Sequence, residues 1–167
     1  MTTLTRRWFP RRMPDDTRVR QVYGFCFDSA GRVLLGDESE DGTHCTLPGG
    51  VPKWDGFDCL AALTSECREK YRVSITRPIY LGYWQVLTEI PGLPDAELFL
   101  AARVTTFHRT SSTPRAHRLS GRLLSPLPEV ADRLGWSEDG PIQVASSVAA
   151  SIFGLNPSAA RQAVRRT

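Results

Sequence analysis

The chain lacks several features that define common classes of protein. Its 167 residues include only four cysteines, which form neither a CxxC pair nor the spacing of zinc ligands. We expect all four to be free, buried thiols. The longest weakly polar run, residues 144–155, contains serines and is too short to span a bilayer. No apolar segment of the signal-peptide kind lies near the N-terminus, so we expect a cytoplasmic protein with no membrane association.

Lysine is also scarce, and the positive charge is concentrated at the two ends. Arginine outnumbers lysine 19 to 2, and the net charge is +3. The first twenty residues carry six arginines against two aspartates, and the last seven carry three arginines, which leaves a mildly acidic body. We therefore predict a solvated basic arm at residues 1–18, one domain at 19–155 and a basic tail at 156–167. Basic ends could attract nucleic acid or phosphorylated ligands, and a solvated arm is the simpler interpretation.

Hydrophobic patterning predicts one α/β domain, a mixed β-sheet flanked by helices. The predicted strands are residues 19–27, 32–35, 79–88 and 97–107, with turn chemistry at 28–31 and shorter extended pieces at 45–47 and 119–124. The predicted helices are residues 57–71, with Asp55 as N-cap, and 128–134 and 141–153, followed by a short basic helix or a frayed end. No internal repeat or second domain is visible.

A Gly-Gly loop runs into the first of these helices, which carries two glutamates on one face. Gly49 and Gly50 allow close approach of the backbone to a ligand, and a glycine loop before a helix presents amides to anions. Glu66 and Glu69 are three residues apart, so their Cβ atoms lie about 5–6 Å from each other. Magnesium prefers oxygen ligands and often keeps several waters, so a few clustered carboxylates suffice. Taken singly, such glutamates are usually solvated and such glycines usually only turn the chain.

Together, in the order strand, LPGG, short loop, acidic helix and strand, these features resemble the box of the Nudix hydrolases. That pattern is Gly, five residues, Glu, seven residues, then Arg-Glu-apolar-any-Glu-Glu-any-Gly-apolar. Glu66 matches the Glu of Arg-Glu, Cys67 the apolar position, Glu69 the first paired glutamate and Val73 the closing apolar residue. The glycine pair matches the loop, with one extra residue before the helix. The flanking YGFCF and LGYWQV segments agree, and the resemblance covers roughly residues 19–153.

The resemblance implies an α/β/α sandwich with a mixed β-sheet, and it implies a reaction. The expected activity is cleavage of a diphosphate linkage in a nucleoside diphosphate derivative or related phosphorylated metabolite, with Mg²⁺ or Mn²⁺. Glu66, Glu69 and Gly50 are then the expected metal-binding residues, and the two glutamates are also catalytic. A further acid outside the box orients water in many members; Glu97 is our first candidate and Glu89 the second.

The same resemblance implies a small phosphorylated or nucleotide substrate as the partner. Gly49 and Gly50 are the expected substrate-binding loop, and Trp54, beside the extra loop residue, is placed to stack on a flat group. Packing in the core is the competing interpretation for aromatic residues elsewhere. A homodimer is an open alternative.

Four positions depart from the pattern, and they bear on the chemistry. Phe57 stands where the first Glu is expected, Ser65 replaces Arg, Lys70 replaces the second paired Glu and Arg72 replaces Gly. At four residues from Glu66, Lys70 could pair with that carboxylate and compete with a cation. Two alternatives therefore stay open: a Nudix-fold module that binds a nucleotide or a partner without catalysis, and a repurposed enzyme of specialised metabolism.

Overall fold

The computed structural model describes residues 5–39, 41–52, 58–87, 95–109 and 121–166. Its strands are β1 (Thr5–Phe9), β2 (Arg18–Phe27), β3 (Val33–Asp37), β4 (Cys45–Thr46), β5 (Gly49–Gly50), β6 (Val73–Ile75), β7 (Ile79–Leu87), β8 (Asp95–Phe107), β9 (Gly121–Ser125) and β10 (Val164–Arg166). Its helices are α1 (Cys59–Glu69), α2 (Val130–Leu134), preceded by a 3₁₀ turn at Leu127–Glu129, and α3 (Gly140–Ser151).

The described strands form a mixed sheet in the order β1-β7-β8-β2-β3-β9-β10. Strands β4, β5 and β6 pair with β3, β2 and β8 respectively, off this path. The long central pair, β2 and β8, is parallel, and the other pairings are antiparallel. The predicted mixed sheet is therefore confirmed, and most predicted strands and helices lie within a few residues of the observed bounds.

Residues alternate between the two faces of the sheet, as the period of a β-strand requires. On β8, Leu98 and Leu100 pack in one cluster with Leu63 of α1. The intervening Phe99 packs in a second cluster with Ala145 of α3. Burying each such large apolar side chain contributes about 1.5–3 kcal/mol. The sheet is thus covered by α1 on one face and by α2 and α3 on the other, which is the predicted α/β/α sandwich.

The turn between β2 and β3 shows why the hairpin forms where the sequence predicts it. The carboxylate of the buried Asp28 accepts hydrogen bonds from the backbone N–H groups of Ala30 and Arg32, at 3.0 and 2.8 Å. Gly31 takes a left-handed conformation with φ of 82°, which costs glycine little. All four cysteines are buried and free, as expected.

Both ends of the chain differ from the expectation. Strand β1 pairs with β7, and β10 pairs with β9. The solvated arm was therefore wrong for residues 5–9, and the terminal helix or frayed end was wrong for residues 164–166. Trp8 packs edge-on against Phe99, with ring centroids 5.7 Å apart, and Arg165 forms an ion pair with the buried Asp37. These contacts are long-range, and strands of three or five residues carry almost no periodic signal. Among the described residues, no helix is long and apolar enough to cross a membrane.

Candidate functional site

Helix α1 holds its acidic flank away from the sheet because its opposite stripe is buried. Cys59, Leu63 and Cys67 are buried against the sheet. Leu63 lies so close to β2 that a Cβ on Gly24 would come within 2.5 Å of the leucine side chain. The absence of a side chain at Gly24 therefore sets how near the helix lies to the sheet. The flank of α1 that carries Glu66 and Glu69 is left facing a pocket.

The Gly-Gly loop supplies the other wall of this pocket. Gly49 and Gly50 form β5 and pair with Tyr23 and Val22 of β2. A Cβ on Gly49 would collide with the backbone carbonyl of Val22, so this position accepts only glycine without rearrangement. A Cβ on Gly50 would instead point into space, with Glu66 Oε2 the nearest atom at 3.9 Å. The backbone of Gly50 therefore lies close to the Glu66 carboxylate.

The cavity between loop and helix, which we call the acidic pocket, has a volume of about 430 Å³. Its lining residues are Gly50, Val51, Asp58, Ala61, Ala62, Ser65, Glu66 and Glu69. The volume lies within the range of about 300–1,000 Å³ typical of small-molecule sites. Asp58 is the N-cap of α1, and its side chain makes no capping hydrogen bond. Three carboxylates therefore line a single cavity beside the glycine loop.

Lys70 forms the ion pair with Glu66 that the spacing predicts. The ammonium nitrogen lies 3.7 Å from Glu66 Oε1, and the two side chains are 34% and 26% exposed. Exposed pairs of this kind contribute about 0–1 kcal/mol. The ion pair is thus weak enough for a divalent cation or a phosphate to displace one partner from the other.

Arg72 occupies a backbone conformation that explains why the Nudix pattern has glycine at this position. Its φ is 56°, and among the described non-glycine residues it alone has a positive φ. For a residue with a side chain, the left-handed conformation costs about 1–2 kcal/mol. The Arg72 carbonyl is held by the backbone N–H of His108 at 2.8 Å and by Arg122 at 3.2 Å. These two hydrogen bonds hold the turn after α1 in place, although its left-handed conformation is unfavourable for arginine.

Arg122 is a buried cation that the sequence interpretation missed. Its guanidinium donates to the carbonyls of Tyr71, Arg72 and His108, at 3.0–3.3 Å, and thereby fixes the end of α1 to β8. Burial lowers the pKa of Arg122, and the nearby Arg166 adds to this shift. A single arginine in the short predicted strand 119–124 gives no sequence signal for such a role.

The structure brings some of the expected site residues together and separates others. The acidic pocket is lined by Gly50, Glu66 and Glu69. Gly49, next to Gly50 in β5, pairs with Tyr23 of β2 and does not line the pocket. Glu97 is buried on the opposite face of the sheet, beside Phe99, and Arg6 donates to its Oε1 at 3.3 Å. The expected water-orienting role of Glu97 therefore has no place at this pocket. Four residues named from the sequence lie outside the described residues: Trp54, Asp55, Phe57 and Glu89. The N-cap of α1 is Asp58 and not the predicted Asp55.

Comparison with solved structures assigns the fold. A NUDIX hydrolase from Nitrosomonas europaea aligns with a TM-score of 0.54 and 16% identity, over 80% of this chain and 89% of that one. A mutant of the Bacillus subtilis pyrophosphohydrolase BsRppH aligns with a TM-score of 0.51 and 20% identity; the match spans 65% of each chain, just under two thirds of that protein. No family model and no curated protein matches the sequence. The chain has the fold of the Nudix hydrolases, as the sequence resemblance implied.

Proposed function

We propose that the protein hydrolyses a diphosphate linkage in a nucleoside diphosphate derivative or a related phosphorylated metabolite, with Mg²⁺ or Mn²⁺. The observation that carries this proposal is the acidic pocket itself. Glu66, Glu69 and Asp58 line one cavity with the backbone of Gly50, on the helix and loop that match the Nudix box. The solved pyrophosphohydrolase with the same fold supports the same class of reaction.

The donor set fits a magnesium-like ion held partly through water. Carboxylate oxygens are the ligands such ions prefer, and Mg²⁺ is usually bound by one or two carboxylates while it keeps several waters. Within the described part of the chain, no three His, Cys, Asp or Glu side chains converge into a direct metal cluster. Glu66 and Glu69 would therefore hold the ion. When bound, it would neutralise charge on the phosphate oxygens and make a bound water more acidic.

The chain's own residues account for the rest of the binding chemistry. Gly50 has no side chain to keep a phosphate away from the loop backbone. The N-terminal end of α1 faces the same cavity through Asp58, and the helix dipole favours negative charge there. The exposed Glu69 can accept a proton from an attacking water. Lys70 places a positive charge beside Glu66. This charge would supply part of the neutralisation that a second metal ion would otherwise provide.

The proposal is tested by calorimetric titration of Mg²⁺ and Mn²⁺ into the full chain, together with hydrolysis assays on dinucleotides and sugar nucleotides. We expect the wild type to bind metal and turn over at least one substrate, and Glu66→Gln to abolish metal-dependent turnover. Glu129→Gln is the matched control, because Glu129 also forms an i,i+4 ion pair, with Arg133, but lies in the 3₁₀ turn before α2. If the wild type turned over none of the dinucleotides or sugar nucleotides, the proposal of a hydrolase would be refuted.

The pairing of Lys70 with Glu66 favours a second candidate, a module that binds a phosphorylated ligand without cleaving it. In that case the ammonium takes over the charge that a metal ion would carry. A ligand that binds only the folded state raises the melting temperature. Thermal stabilisation by nucleotides that persists in EDTA, without turnover, would favour this module over the hydrolase.

A further inference from the structure

Three arginines gather near the end of α1, the end of β8 and the strand β10, and we call them the arginine cluster: Arg72, Arg122 and Arg166. Arg72 follows α1, Arg122 lies on β9, and Arg166 is its register partner on β10. Burial lowers the pKa of Arg122, and the charges of Arg166 and Arg72 lower it further. Both of these arginines therefore lie close enough to Arg122 to repel its positive charge.

An aromatic ring holds two of these cations in place. The guanidinium carbon of Arg166 lies 4.1 Å from the centroid of the Phe107 ring, and that of Arg122 lies 5.7 Å from the same centroid. Arg122 is 3% exposed, and its Nε donates to the backbone carbonyl of Arg166 at 3.4 Å. A guanidinium that stacks on a ring keeps the N–H groups at its edge available for an anion. Phe107 and Arg122 therefore position Arg166 before a ligand binds.

Arg72 and Arg166 present positive charge that no neighbouring acid balances. Both residues are exposed. Neither forms an ion pair with a carboxylate in the part of the chain that the structure describes. Other arginines, such as Arg6 and Arg18, do pair with an acid. Like charges held close together cost free energy, and a bound anion would offset that cost.

We propose that the arginine cluster binds a dianionic phosphate group, either inorganic phosphate or the terminal phosphate of a phosphorylated metabolite. A guanidinium matches phosphate because two parallel N–H groups can donate to two of its oxygens. A terminal phosphate carries a charge of about −1.5 to −2 at pH 7, which the guanidinium groups of Arg72 and Arg166 would balance.

The arrangement of the charges favours a single phosphate group over a nucleic-acid backbone. The exposed cations gather around one residue, Arg122, whereas proteins that bind single strands use a positively charged groove that follows the backbone. The site also goes beyond the proposed hydrolysis, because none of its residues lines the acidic pocket.

The arginine cluster is tested by calorimetric titration of inorganic phosphate and ribose 5-phosphate into the full chain in EDTA, at an ionic strength kept constant with sodium chloride. We expect both to bind, and the tighter of the two identifies the source of the phosphate. Dimethyl phosphate carries only one negative charge and should bind at least about tenfold more weakly than ribose 5-phosphate. Arg166→Gln removes charge-assisted hydrogen bonds and should weaken phosphate binding about tenfold.

Three further variants keep the outcome interpretable. Arg72→Gln should also weaken phosphate binding, so the proposal stays testable if Arg166→Gln disturbs β10. Arg12→Gln is the matched control, because it removes one positive charge from an exposed arginine that pairs with Asp15, and it should leave the affinity unchanged. Glu66→Gln, which should end hydrolysis, should leave phosphate binding unchanged, so the two proposals can fail separately.

The outcomes that would overturn the arginine cluster are equally specific. One is absence of phosphate binding to the wild type, and another is an affinity that neither Arg72→Gln nor Arg166→Gln lowers. A single-stranded oligonucleotide without a terminal phosphate is the last probe. If it bound more tightly than ribose 5-phosphate and lost this binding in Arg166→Gln, the surface would be a nucleic-acid site instead.

Discussion

The two faces of the sheet carry pockets of opposite character. In the acidic pocket the functional groups are charged and partly solvated: Glu66 is 26% exposed and paired with a lysine, and Glu69 is exposed. On the opposite face, a second cavity of about 210 Å³ is lined by Arg6, Trp84, Gly135, Trp136, Ser137 and Glu138. There Trp84 is almost completely buried, and packing against Phe99 and Trp136 fixes its ring. The first pocket is lined by charged groups that the proposed metal ion would contact, whereas the second is organised by the core. Salt and metal should therefore affect the first pocket much more than the second.

The largest effect is expected where α1 rests on the sheet. Leu63→Ala removes a fully buried side chain that packs against Gly24 and should cost about 2–5 kcal/mol of unfolding free energy. Urea denaturation measures this cost. The matched control is Leu60→Ala on the same helix, because Leu60 is only partly buried and should cost less. Equal losses for the two variants would contradict the close packing of α1 on β2.

The two adjacent glycines of the loop should respond differently to the same change. Gly49→Ala drives a methyl group into the Val22 carbonyl and should cost about 1–3 kcal/mol by overpacking. Gly50→Ala meets no atom closer than 3.9 Å, so its stability should stay within about 0.5 kcal/mol of the wild type. Denaturation midpoints separate the two variants. If Gly50→Ala proves the more damaging, the loop does not lie as described.

A smaller effect of opposite sign is expected at the turn after α1. Arg72→Gly relieves the left-handed conformation of a residue with a side chain and should stabilise the protein by about 1 kcal/mol. Arg72→Ala keeps the Cβ and therefore the strain, and serves as the control. The melting temperature should rise for glycine only; a similar rise for alanine would assign the gain to the lost charge.

The smallest effect concerns the lysine beside the acidic pocket. Lys70→Gln removes the ion pair with Glu66 and should increase Mg²⁺ or Mn²⁺ affinity up to about fivefold, since such a pair is worth about 0–1 kcal/mol. Calorimetric titration measures the change. Arg133→Gln on α2, which breaks the ion pair with Glu129, should leave metal affinity unchanged. Weaker metal binding by Lys70→Gln would show that the lysine supports the site.

The sequence predicted the acidic pocket better than the contacts on the opposite face of the sheet, for physical reasons. Glu66 and Glu69 are three residues apart on one helix, so helical geometry alone puts them on one flank. Glu97 belongs to a strand in which eight successive residues are buried, and an uninterrupted run gives no signal for which face a side chain takes. Arg6 reaches Glu97 across 91 residues of chain, which no local pattern encodes.

The edge strand β1 has a consequence for the order in which the protein assembles. Arg6 is among the first described residues, yet it pairs in register with Val86 and lines the same cavity as Trp136. Pairings between such distant parts of a chain close large loops and form slowly. A growing chain must therefore keep β1 unpaired until β7 has been made. The lining residues of the acidic pocket all lie between Gly50 and Glu69 in the sequence. This pocket can therefore form earlier than the cavity beside Trp84, which is complete only after α2 has followed.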